Sequence, residues 1–106
     1  MISVEVVMNK SLRYEVLVAY DVENNKQRKK LFEQLKDVGL EPIQKSVFWG
    51  FLNKAEERAV YRLFKKLNKE SDKAFLVRAK LGTVIGKYGL GYQESDFQLP
   101  TSFEVL

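Results

Sequence analysis

A chain of 106 residues with 45% hydrophobic content and neither cysteine nor histidine builds one small domain without disulfides, thiolate chemistry or imidazole bases. Any metal it holds is a hard cation bound by oxygen, such as magnesium, manganese or calcium. The net charge of +4 favours an anionic partner, and no apolar run approaches the ~20 residues of a membrane-spanning helix. Glu5 interrupts the first apolar stretch and no basic segment precedes it, so no signal peptide is read and a cytoplasmic location is expected.

Residues 1–13 read as an N-terminal extension, in which Ile-Ser-Val-Glu-Val-Val-Met (2–8) suits either a short strand or a disordered arm. Tyr14–Tyr20 is a strand rich in β-branched and aromatic residues. A charged turn, Asp21–Asn25, leads into a helix over Lys26–Val38 whose apolar stripe is Leu31, Phe32, Leu35 and Val38, with Gly39 as the stop. Pro42 opens a second β region, Ile43–Leu52, expected as a hairpin or bent pair bulging near Lys45–Ser46. Asn53-Lys-Ala-Glu56 has the cap-then-acid spacing of a helix start, and that helix is expected to reach about Lys69, burying Val60, Leu63, Phe64 and Leu67. A last core strand follows over Ala74–Leu81.

Strand–helix–strand–strand–helix–strand is the split βαβ plan, so residues 14–81 are expected to form an α+β, ferredoxin-like βαββαβ sandwich. Residues 82–106 are left as a crossover and tail. Gly82–Gly91 is expected to be flexible, because Gly86-Lys-Tyr-Gly89-Leu-Gly91 matches no nucleotide-binding glycine motif. Phe103–Leu106 is expected as an extra C-terminal strand.

The first strand is apolar on both faces, with Val16 and Val18 on one and Leu17 and Ala19 on the other. In a split βαβ fold both helices cover the same face, so the other needs a cover. A second copy stacked as a twofold dimer provides it, and the tail strand could also pair with the partner's sheet edge.

Asp21 is a lone carboxylate where this strand ends, the place where a buried strand first presents chemistry. It suits either an Asx-turn toward the first helix or, facing its twofold mate, half of a magnesium site for phosphodiester hydrolysis. Lys26, Arg28, Lys29, Lys30 and Lys36 on the first helix and Lys54, Arg58, Arg62, Lys65, Lys66 and Lys69 on the second suit a phosphate backbone. Glu33, Asp37, Glu56 and Glu57 lie among them, as on an ordinary solvated face. Arg28 lies about one turn past Asp21, where it can hold a phosphate. Alternation sends Trp49 and Phe51 to one face and Phe48 to the other; Phe51 reads as core or interface, while Phe48 and Trp49 suit either that role or base stacking.

Tyr20-Asp21, Arg28, Lys30, Gly39-Leu40 and Ile43-Gln44-x-Ser46-Val47-Phe48-x-Gly50-x-Leu52 together resemble the CRISPR-associated protein two family over residues 14–81. The resemblance implies a dimeric ferredoxin-like protein of prokaryotic adaptive immunity that bridges the CRISPR integrase during spacer acquisition and holds DNA. It also implies a magnesium-dependent endonuclease on RNA or DNA. Asp21 matches the family's catalytic metal ligand, and Tyr20, Arg28, Lys30, Ser46 and Phe48 match assisting positions. Pro42 stands where many members carry a basic residue, Lys45 where an aromatic is common, and the segment before Tyr14 is longer than usual. A non-catalytic DNA-clamping scaffold and a ribonuclease toxin of a toxin–antitoxin pair are the alternatives.

Overall fold

The computed structural model describes residues 12–99 and the backbone of residues 104–105; the strand considered within residues 2–8 lies outside the described residues. The elements are β1 (Leu12–Asp21), α1 (Asn25–Val38), β2 (Glu41–Gln44), β3 (Val47–Leu52), α2 (Lys54–Phe64), β4 (Lys73–Arg78), α3 (Gly82–Tyr88), a 3₁₀ turn (Glu94–Phe97) and β5 (Glu104–Val105). The sheet runs β2-β3-β1-β4 with every neighbouring pair antiparallel. This is the βαββαβ sandwich read from the sequence.

Local chemistry fixes the helix boundaries. The Asn24 side chain accepts from the Gln27 amide at 2.9 Å, satisfying one of the free N–H groups that open α1. Gly39 ends the helix at φ 115°, a conformation glycine adopts without penalty. The Leu40 amide then returns to the Leu35 carbonyl at 3.1 Å, closing the helix end. Asn53 and Glu56 form a reciprocal capping box at α2, both bonds 2.8 Å.

α2 stops at Phe64 rather than near Lys69. Lys66 and Leu67 bond three residues back, to Leu63 and Phe64, which tightens the chain out of the α-helix. Asp72 then organises the exit: one carboxylate oxygen accepts from the Asn68 amide and the other from the Glu23 amide, each at 3.0 Å. Leu63, Phe64 and Leu67 still pack against the core.

These backbone bonds hold the Asp72 carboxyl below its ordinary value of 3.8. A depressed carboxylate pKa gives stability that is present above the unfolded value and lost as pH falls through the folded one. Asp72→Asn is therefore expected to flatten the fall in melting temperature below pH 3.8, checked by thermal denaturation from neutral pH into that range.

The helix-facing core contains Val16, Val18, Phe48, Leu52, Leu35 and Val60, all fully buried. At its margin the Arg78 guanidinium forks onto Glu57 at 2.8 and 2.6 Å and lies 3.7 Å over the Tyr14 ring. Arg13 pairs with Glu56. Both acids of the first turn of α2 are thus turned toward the sheet.

The opposite face differs from expectation. The glycine-rich stretch is no flexible crossover: Gly82–Tyr88 is a helix, and it docks. A Cβ at Gly86 would stand 2.9 Å from the Glu94 Cα, so the missing side chain serves close packing rather than mobility. Phe97, Ile85 and Tyr92 close over Trp49, Phe51, Leu17 and Ile43 in a second apolar cluster. One oxygen of the Glu15 carboxylate receives the Trp49 indole N–H at 2.9 Å and the Gly82 amide at 2.7 Å. The chain itself supplies part of the cover assigned to a second copy. Phe75 and Val77 of β4, opposite Ala19 and Leu17 on this face, remain 51% and 41% exposed. β5 pairs in parallel with Leu12 and Arg13 of β1.

Candidate functional site

The end of β1 sends consecutive side chains to opposite sides of the sheet. Tyr20 goes to the helix side, where it is buried in the core with its ring 6.2 Å from Phe48. Asp21 goes to the other side and is exposed, opposite Lys73 across the β1–β4 pair. Its carboxylate forms neither of the two ion pairs found among the described residues.

Tyr20, Arg28 and Ser46 meet on the helix side. They line a cleft of about 270 Å³ together with Lys29, Phe32 and Lys45. The Arg28 guanidinium donates to the Val22 carbonyl at 2.8 Å and to the Asn25 side chain, which holds it at the rim. Ser46 sits in the β2–β3 turn at φ 63°, the one non-glycine residue with positive φ among those described, and such strain gathers at functional turns. Burial raises the Tyr20 hydroxyl's pKa against the opposing pull of the Ser46 hydrogen bond and the Arg28 charge. The phenol is a protonated donor at neutral pH.

A model of the CRISPR associated protein Cas2 family matches residues 14–95. The chain belongs to the Cas2 family. It is 42% identical over 87 residues, 82% of this chain and 90% of the relative, to CRISPR-associated endoribonuclease Cas2 1 of Francisella tularensis subsp. novicida. A crystal structure titled cas2 aligns with a TM-score of 0.54 at 32% identity, over 61% of this chain and 72% of that one. A hypothetical protein, TT1823 from Thermus thermophilus, aligns with a TM-score of 0.58 at 28% identity, over 63% and 82% respectively.

The Cas2 positions named from the sequence separate into distinct places. Tyr20, Arg28 and Ser46 share the cleft; Phe48 lies behind Tyr20, fully buried; Lys30 is exposed and outside the cleft lining; Asp21 is on the other face. Sequence reasoning did not single out Lys29 and Lys45 as part of this group. Asn25, Arg28, Lys29 and Phe32 recur at the helical period, which was the available signal for one lining face. Lys45 arrives from the hairpin turn, which carries no such periodicity. Among the described residues no three acidic side chains group where a metal could be held. The Asp21 carboxylate would give a magnesium ion one protein ligand from this chain; such ions usually take one or two carboxylates and fill the rest of their shell with water and phosphate oxygens.

Proposed function

We propose that this chain acts as a homodimeric, nucleic-acid-binding endonuclease of CRISPR spacer acquisition, hydrolysing phosphodiesters with the Asp21 pair and bridging the CRISPR integrase. The observation that carries the reading is Asp21: an exposed carboxylate at the end of β1 that forms neither ion pair among the described residues, on the sheet face where Phe75 and Val77 remain uncovered. A twofold partner seated on that remainder would bring a second Asp21 and complete a site for Mg2+, with Mn2+ as a substitute. Mg2+ held there supplies the charge and the water activation that phosphodiester hydrolysis requires. The name of the Francisella relative supports RNA as a substrate, and the cytoplasm is where this chemistry belongs.

The bridging role draws on the cationic surface. Lys26, Lys29, Lys30 and Lys36 of α1 are exposed, as are Lys54, Arg58 and Arg62 of α2 and Lys65, Lys66 and Lys69 just beyond it. Glu56 and Glu57, the acids of α2's first turn, are held by Arg13 and Arg78. They therefore do little to offset the outward cations. Binding through this stripe follows phosphate spacing and weakens with salt. A clamping scaffold without cleavage uses the same stripe and does not need Asp21.

Labelled RNA and duplex DNA, incubated with the protein in Mg2+ or in chelator, test the enzymatic part; Mg2+-dependent cleavage is expected. Light scattering at micromolar concentration tests the assembly, with a dimer mass expected. Cleavage indifferent to chelator overturns the metal role, and a monomer mass overturns the paired Asp21.

A further inference from the structure

The cleft beside Tyr20 has a character of its own, separate from Asp21. Arg28, Lys29 and Lys45 converge on it, and no acidic residue lines it. Neither ion pair found among the described residues involves any of the three. Cations gathered around a recess without a counter-charge repel one another unless an anion joins them.

The rest of the lining restricts which anion fits. Phe32 and the Tyr20 ring form an apolar wall, while the Ser46 side chain and the Tyr20 hydroxyl add neutral polar groups. Arg28 is held in place by the Val22 carbonyl and the Asn25 side chain, which fixes the guanidinium at the rim so that its remaining N–H groups can meet phosphate oxygens. A recess of about 270 Å³ is of mononucleotide size, too small for a duplex to enter. A duplex backbone follows an extended stripe of charge, whereas a strand end can insert. A terminal phosphate monoester carries up to two charges where an internal diester carries one.

We propose that this cleft captures the terminal phosphate of a single-stranded nucleic acid, with Arg28, Lys29 and Lys45 on the phosphate and the terminal nucleoside against Phe32. This deepens the nucleic-acid reading above and rests on it. Because Tyr20 and Asp21 point to opposite sides of the sheet, end capture and Asp21 chemistry are separable.

The test is fluorescence anisotropy in chelator on single-stranded oligonucleotides of one sequence, bearing a 5′-phosphate, a 3′-phosphate or hydroxyls at both ends. Binding at least about tenfold tighter to one phosphorylated strand than to the hydroxyl strand is expected, given what charge-assisted phosphate contacts contribute. A Lys29→Ala/Lys45→Ala double variant should lower that ratio several-fold, leaving only what Arg28 contributes to the phosphate. A Lys26→Ala/Lys36→Ala control should weaken all strands alike and keep the ratio, because those side chains lie on α1 outside the cleft. A ratio near one for the wild type, or a preference undiminished in the double variant, overturns the proposal. A mononucleotide 5′-phosphate binding as tightly as the phosphorylated strand overturns the strand-end assignment. If no oligonucleotide binds at all, it is the nucleic-acid reading itself that fails.

Discussion

Asp21→Asn is expected to lower Mg2+-dependent cleavage by about 100-fold or more, the scale seen when one group that stabilises transition-state charge is removed. It should leave the melting temperature almost unmoved. The reasons are separate. Asparagine keeps the size and the turn-forming oxygen of aspartate but removes the negative charge, so a turn role survives and a cation role does not. The side chain is exposed and forms neither ion pair among the described residues, so little stability depends on it. In a twofold dimer the substitution removes both carboxylates at once, which makes the loss steeper than for a site with further ligands. Cleavage kinetics on labelled RNA, with thermal denaturation alongside, check both halves. Equal cleavage by wild type and variant would trace the activity to a contaminant, and the bridging reading would stand without the enzyme.

The first core elements were legible because their signals are local. The β-branched run before Asp21, the Asn53–Glu56 spacing and Gly39 each act within a few residues, and each appears where read. Three features were not legible, for a shared reason. Helix α3 carries glycines that lower helix propensity by about 1 kcal/mol each relative to alanine, and only the approach of Glu94 explains Gly86. The early end of α2 depends on Asp72, which ties the exit loop to the Glu23 amide 49 residues away. The cleft joins Lys29 of α1 to Lys45 of the hairpin turn, a meeting that no sequence window spans. The two-faced β1 strand did give a correct demand for cover. Part of that cover is the chain's own α3, whose glycines read as flexibility in the sequence but serve close packing at Gly86.

Phe48 separates packing from chemistry at a position that the family pattern groups with assisting residues. It is fully buried, its ring 5.3 Å from Phe32 and 6.2 Å from Tyr20, and it does not line the cleft. Phe48→Ala is expected to cost about 3–5 kcal/mol, the usual range for emptying a buried aromatic site. Domains of this kind hold only about 5–15 kcal/mol in total, so the loss lowers the urea midpoint sharply and takes activity with it. Phe48→Leu refills most of the space with another apolar side chain and should cost about 1–2 kcal/mol. Measured well below its melting temperature, the leucine variant is expected to keep cleavage within about twofold of wild type, because the ring reaches neither Asp21 nor the cleft opening. A folded leucine variant with lost cleavage would instead mean that the aromatic ring fixes Tyr20, and through it Ser46 and Arg28, more tightly than packing volume alone requires. Activity lost in step with unfolding identifies Phe48 as the floor on which the functional residues rest.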